Sequence, residues 1–195
     1  SLIRELHHRV KNNLQVVSSL MSLQSNRVED EHARMALEES KTRVDAMAMI
    51  HQKLYVDHEL AAVNMQDYLH ELAVSLVSSF GLPAAAVHTT VRLHNPSMNI
   101  DKAVSIGLIV NELVTNACKH AFKAIPDPKL SISLEQDAAQ LQLCIADNGI
   151  GLKKNAATES GFGLKLVHIL VNQLDAAIEM HNQEGTRYNI QMKAE

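Results

Sequence analysis

Residues Asn111–Phe122 read NELVTNACKHAF, and the rest of the chain is read outward from them. In a helix, Leu108, Val114 and Cys118 fall on an apolar side. Glu112, Asn116, Lys119 and His120 gather on a polar one, at steps of three and four. A carboxylate and an amide oxygen one turn apart suit a base and a ligand for a hard cation. The same spacing also describes an ordinary amphipathic helix, so other stretches must choose between the two.

Two downstream stretches bear on that choice. Asp147-Asn148-Gly149-Ile150-Gly151 follows an alternating run, Gln140–Ala146, that predicts a strand. Glycines two apart allow a ligand to approach the backbone closely, and a carboxylate at a strand's end can accept from an exocyclic amine such as adenine's. Asp-Asn-Gly is equally a common turn sequence. Gly161-Phe162-Gly163 stands before a predicted helix, where free N–H groups attract phosphate. Between Gly151 and Gly161, Lys153-Lys154 and a run of small and polar residues have the composition of a mobile lid.

Upstream the chain is different in kind. Residues 2–56 contain no Gly and no Pro, and Leu6, Val10, Leu14, Val17 and Met21 form a helix seam. Leu2, Val16, Leu20 and Leu23 make a second stripe. The polar group from Ser25 to Glu31 interrupts the pattern, and Asp30 or its acidic neighbours suit the start of a second helix. That helix carries Leu37, Val44, Met47, His51 and Leu54. One helical hairpin buries too little surface to stand alone, so two copies are expected to pair as a four-helix bundle.

After a connector at 57–64, helical and alternating segments mix. A helix over Met65–Phe80 is expected to turn Leu69, Leu72, Leu76 and Phe80 inward and to end at Gly81. Strands are expected at Val87–Leu93, Leu130–Leu134, Gln140–Ala146, Ala177–His181 and Thr186–Met192. Helices are expected at Asp101–Phe122 and Phe162–Leu174. The pattern suggests an α+β two-layer sandwich. With 195 residues, 46% of them hydrophobic, the chain can build a sizeable core. A net charge of −4 argues against a nucleic-acid binder driven by phosphate neutralisation. No apolar run reaches the ~20 residues of a membrane span. Cys118 and Cys144 lack paired spacing, which predicts free buried thiols.

The boxes NELVTNACKH, DNGIG, GFGL and EGT, in that order, resemble the ATP-binding (GHKL) fold shared by gyrase, the Hsp90 chaperone, histidine kinases and MutL. The resemblance implies that Asn116 holds Mg2+ on the ATP phosphates and that Asp147 binds the adenine amine. Gly149 and Gly151 would shape the purine pocket. Gly161 and Gly163, with Phe162 and Leu164, would bound the lid and the phosphates, and Lys119 would contact phosphate. Thr186 belongs to the last box. Glu112 is often implicated in organising the metal-bound water. His120 stands where many relatives carry Tyr, which leaves the detail of adenine stacking open.

Leu6-His7-His8-Arg9-Val10-Lys11-Asn12-Asn13-Leu14 is similar to the phosphoacceptor box of bacterial sensor histidine kinases of the second dimerisation subfamily, related to the HWE kinases. At ~100° per residue, His7 lies roughly 60° from the centre of the first seam and His8 roughly 160° from it. A phosphoacceptor must face outward, and His8 is also the histidine that matches the motif. Arg9 occupies the place where many histidine kinases carry an acid, so the proton acceptor is open, with Glu5 a candidate.

The resemblance therefore implies a dimerising phosphotransfer hairpin at 1–57, a linker at 58–64 and an ATP-binding domain at 65–195. It implies ATP and Mg2+ as cofactors, autophosphorylation on His8 and relay to an aspartate of a response-regulator receiver domain. Expected partners are a second copy and that receiver, with a sensor domain upstream, no nucleic acid, no membrane contact by this stretch and a bacterial cytoplasmic location. The alternative is a phosphotransfer protein with a degenerate ATPase-like domain.

Overall fold

The computed structural model describes residues 2–56, 64–94, 98–151 and 162–194. Helices α1 (Leu2–Ser25) and α2 (Glu31–Val56) form an antiparallel hairpin. Asp30 caps α2, its Oδ1 accepting the Ala33 N–H at 2.8 Å. Two cross-links set the register. The Ser18 hydroxyl donates to Asp45 Oδ1 at 2.6 Å, and the Ser25 hydroxyl donates to Glu38 Oε1 at 2.5 Å. Leu14 and Met21 of the first seam are half-buried. Val16, Leu20 and Leu23, the outer stripe, are 58%, 54% and 58% exposed, a continuous apolar face that α2 leaves uncovered.

Helix α3 (Met65–Ser79) begins at Asn64, whose Oδ1 accepts the Asp67 N–H at 3.2 Å. It ends in the left-handed Gly81, with the Leu82 N–H donating back to Val77 O at 3.0 Å. The helix is one residue shorter than the pattern predicts. Phe80 becomes its C-cap and stays exposed instead of turning inward, because the chain has already left the helical phase.

The sheet comprises β1 (Val87–Arg92), β2 (Leu130–Asp137), β3 (Gln140–Asp147), β4 (Ala177–His181) and β5 (Arg187–Lys193), in the order β1-β2-β3-β5-β4. Pairs β2–β3 and β4–β5 are antiparallel, as alternation and turns predict. The sheet also contains a parallel β1–β2 pair and joins β3 to β5. One face carries Leu130, Ile132, Leu134, Leu141, Leu143, Ile145, Tyr188, Ile190 and Met192, all buried, with polar residues alternating on the other. Gln66 of α3 satisfies the open edge of β1: its Nε2 donates to Thr89 O at 3.0 Å and its Oε1 accepts the Val91 N–H at 2.8 Å.

Helices α3, α4 (Ile100–Asn116) and α5 (Phe162–Gln173) form the second layer. Tyr68 of α3 is fully buried with its hydroxyl over Gly107 of α4. The expected single helix to Phe122 is corrected. The α-helix ends at Asn116, and Ala117–Ala121 form a π-helical turn closed by the Phe122 N–H to Ala117 O at 3.2 Å. Cys118 and Cys144 are free, as predicted, but half-buried rather than buried. Burial raises the Cys118 thiol to about 11. Among the described residues no helix is long and apolar enough to cross a membrane.

Candidate active site

Asp147 ends β3 with its carboxylate turned back on its own loop. Oδ1 accepts the Gly149 N–H at 2.8 Å and the Thr186 N–H at 3.2 Å. Both of these bonds go to Oδ1, and no hydrogen bond to Oδ2 is formed among the described residues. Burial pushes the carboxyl above the ordinary aspartate range, and the two backbone N–H groups work against that shift. Thr186 is buried beside it, and Gly185 can only be glycine there: a Cβ would stand 1.9 Å from Asp147 O. Asn148 anchors the loop to the preceding turn. It accepts the Lys129 N–H at 2.7 Å and donates to Asp127 O at 2.8 Å.

The π turn connects this loop to α4. Ala121 O accepts the Ile150 N–H at 3.0 Å, and a Cβ on Gly149 would lie 2.4 Å from the same oxygen. Gly151 has φ +70°, a value that favours glycine. Asn116, at the point where α gives way to π, is half-buried, and its amide has no side-chain partner among the described residues. His120 sits at the surface of the π turn. Partial burial and the charges of Lys123 and Lys119 push its imidazole below the usual value.

Glu112 is the main departure from a simple polar helix face. It is 4% exposed and points at α2. Arg43 Nε donates to Glu112 Oε1 at 2.5 Å and Nη2 donates to Oε2 at 2.8 Å, while Asn111 Nδ2 donates to Oε1 at 3.2 Å. Lys119 donates to Glu39 of α2, and Glu39 also lies 3.6 Å from Arg43. Burial disfavours the Arg43 charge, but Glu112 and Glu39 outweigh it and raise its pKa.

Gly163, in the first turn of α5, faces the same carboxylate. A Cβ there would stand 2.5 Å from Glu112 Oε2 and 3.9 Å from Arg43 Nη2. Leu164 packs half-buried against the core. The Phe162 backbone opens α5, while its side chain, Gly161 and the stretch with Lys153-Lys154 lie outside the described residues, as does the connector 57–63. Asn116, Glu112, Asp147, Gly149, Gly163 and Thr186 are therefore brought into one contiguous region by direct contacts between their segments.

His8 is on α1, remote in sequence from that region, and exposed. Glu5, one turn earlier, donates nothing. Its Oε1 accepts from Arg9 Nε at 2.9 Å, both side chains being open to solvent. The side chains of His7 and His51 lie outside the described set.

A histidine kinase family model matches residues 5–80, and a model of the histidine kinase-, DNA gyrase B- and HSP90-like ATPases matches residues 101–195. The chain belongs to the histidine kinases. It is 36% identical over 190 residues to the sensor histidine kinase PdtaS of Mycolicibacterium smegmatis, covering 92% of this chain and 36% of that protein. It is 26% identical over 196 residues to blue-light-activated histidine kinase 2 of Erythrobacter litoralis, covering 96% of this chain and 56% of that one. The chain thus spans about a third to a half of these relatives. The fold is that of the histidine kinase domain from the E. litoralis EL346 blue-light activated kinase, with TM-score 0.69, 21% identity, and coverage of 93% of this chain and 94% of that one.

Reasoning from sequence missed Arg43 and Glu39. Both are ordinary charged residues in a long helix, and no local motif marks them. No local signal could have found them: the burial of Glu112, which calls for a cationic partner, is itself a result of the tertiary structure.

Proposed function

We propose that this chain is the kinase core of a two-component sensor, transferring the γ-phosphoryl group of ATP to a ring nitrogen of His8. The hairpin at 1–57 is the substrate and dimerisation unit, the segment 58–64 a linker, and 65–195 the ATP-binding domain. The observation that carries this reading is the arrangement around Asp147. Its Oδ1 is occupied by two backbone N–H groups, Oδ2 is left for an adenine amine, and Gly149 is locked to the end of the Asn116 helix.

Asn116 offers an unengaged amide oxygen of the kind a hard divalent cation takes, and Glu112 lies one turn before it. Asn116 would hold Mg2+, which supplies neutralisation of phosphate charge when bound, and Glu112 would organise the metal-bound water. Gly161, Gly163, Phe162 and Leu164 bound the phosphate region, and Lys119 and His120 flank the nucleotide on the π turn. Thr186 and Gly151 complete the purine side. In the transfer, the bond from the γ-phosphorus to its bridging oxygen breaks, a nitrogen–phosphorus bond forms on His8, and ADP leaves. The phosphoryl group then passes to a receiver-domain aspartate. The exposed stripe of Val16, Leu20 and Leu23 is the face on which a second copy completes a four-helix bundle. A cytoplasmic location suits this chemistry.

Incubation with γ-labelled Mg-ATP tests the reading. Acid-labile, base-stable label should appear, vanish in His8→Gln and persist in His7→Gln, and Asn116→Asp should abolish it. Label retained in both histidine variants would overturn the assignment. Binding of nucleotide without any label would favour the phosphotransfer alternative with an inactive ATPase-like domain.

A further inference from the structure

Strand β3 is the middle strand of the sheet, and its C-terminal end is fastened to both neighbours by two consecutive side chains. Antiparallel strands exchange paired N–H and C=O bonds between facing residues. In register with the ladders, Asp147 faces Thr186 just ahead of β5, and Asn148 faces Lys129 just ahead of β2. Each keeps one backbone bond. The Asp147 N–H donates to Thr186 O at 2.9 Å, and the Asn148 N–H donates to Lys129 O at 3.1 Å. In the return bond a side chain replaces the backbone carbonyl. Asp147 Oδ1 accepts the Thr186 N–H at 3.2 Å, and Asn148 Oδ1 accepts the Lys129 N–H at 2.7 Å.

A side chain that stands in for a carbonyl lets the strand stay paired while its backbone turns away. The site needs that turn, because Gly149 passes close to Ala121 O and gives its N–H to Asp147 Oδ1 at 2.8 Å. Asn148 also has a second grip on the β2 side. Its Nδ2 donates to Asp127 O at 2.8 Å, so one side chain holds the backbone on both sides of the buried Pro128. Proline has no N–H of its own with which to tie that stretch down. A carboxylate at 148 could still accept from Lys129 but would meet the Asp127 carbonyl without a donor, so the clip calls for an amide. The Asn148 side chain is exposed, and these bonds rather than packing are what it contributes.

We propose that Asn148 is a positioning residue for the nucleotide, fixing the end of β3 so that the Asp147 carboxylate meets the exocyclic amine of adenine. The inference rests on the reading of Asp147 as the acceptor for that amine. In this role Asn148 touches no part of the nucleotide and acts through its neighbour. Without the clip, the Asn148 N–H bond to Lys129 O is what remains of the junction between this loop and residues 127–129. The loop then relaxes and the Asp147 carboxylate shifts with it. A hydrogen bond weakens steeply with such misalignment, so the contact to the amine is the first to suffer.

Competition against a fluorescent ATP analogue, on the full 195-residue chain with Mg2+, gives the affinities of two nucleotides. One is ATP. The other is purine riboside triphosphate, which has the same sugar and phosphates but lacks the exocyclic amine. Wild type is expected to prefer ATP. Asn148→Ala should weaken ATP by roughly fivefold or more and leave purine riboside triphosphate within about twofold, because only ATP uses the contact that the clip positions. Asn148→Asp, which keeps the Lys129 bond, should fall between wild type and Asn148→Ala. Equal losses for both nucleotides would overturn the proposal, since Asn148 would then be holding the pocket as a whole. If Asn148→Ala does not fold, Asn148→Asp decides alone by the same ratio. A wild-type preference for ATP that survives substitution would refute this inference and leave the reading of Asp147 standing. Wild type that binds the two nucleotides equally, or binds neither, would refute that reading and this inference with it.

Discussion

The carbonyl of Ala121 accepts the Ile150 N–H at 3.0 Å and lies 2.4 Å from where a Gly149 Cβ would be. One oxygen therefore joins the helix that carries Asn116 to the loop that carries Asp147. The π turn makes this possible. It adds a residue to the last turn of the helix and leaves the Ala121 carbonyl directed at the loop, a use typical of π segments at functional sites.

Gly149→Ala should break that junction. Its new methyl meets backbone on the Ala121 side, which has no side-chain rotamer through which to yield. A loss of about 1–3 kcal/mol of stability is expected from overpacking of this kind. Nucleotide affinity should fall with it. Urea denaturation and titration with a fluorescent ATP analogue check both, and wild-type values in each would refute the close approach.

Asp147→Asn separates ligand recognition from loop geometry. An asparagine oxygen can still accept from Gly149 and Thr186, so the fold should survive. The amide that replaces Oδ2 would face a donor with a donor. Loss of a hydrogen bond to a charged group corresponds to about 1.5–3 kcal/mol, roughly a ten- to hundredfold weaker affinity. The pH dependence has a definite sign. Burial raises the folded pKa of Asp147 above its ordinary value of 3.8. Its stabilising contribution is therefore present below that value and is lost as pH rises through the folded pKa. The variant lacks this term, so the stability of wild type relative to Asp147→Asn should decline over that window. A difference independent of pH would count against the shift.

Tyr68 and Gly107 make a coupled pair in the core. The Tyr68 hydroxyl is buried without a partner among the described residues, and a Cβ at Gly107 would stand 1.8 Å from it. Tyr68→Phe should stabilise the domain by about 1 kcal/mol, the lower end of the cost of an unsatisfied buried polar group. Gly107→Ala should destabilise it, and by less in the Tyr68→Phe background, because the nearest clashing atom is gone. Thermal melts of the four species give the cycle, and strict additivity would contradict the contact.

Leu20→Glu with Leu23→Glu should leave the hairpin folded, since neither side chain is buried by α2. It should convert a dimer to a monomer by light scattering. A dimer that persists would place the subunit contact on another face.

The N-terminal hairpin was legible because helix periodicity, an acidic cap at Asp30 and the absence of Gly and Pro over 2–56 are local signals. The antiparallel pairs β2–β3 and β4–β5 were legible for the same reason, each being joined by a short turn. The parallel β1–β2 pair was not, because its partners are separated by α4 and pair only across the completed sheet. Phe80 was read one position too far along its helix, as termini often are.

The candidate site divides the same way. Asp147, Gly149, Gly163 and Asn116 stood out as residue types whose chemistry is visible in short stretches. By itself the sequence determined most of the helices and strands, because each depends on residues within a few turns of one another; its preference for His8 over His7 rests on the same helix phase and is a proposal. Only the tertiary structure decided where the Glu112 carboxylate goes. Its partner Arg43 is 69 residues away on a helix with no motif, and burial of both at one interface, rather than any local pattern, pairs them.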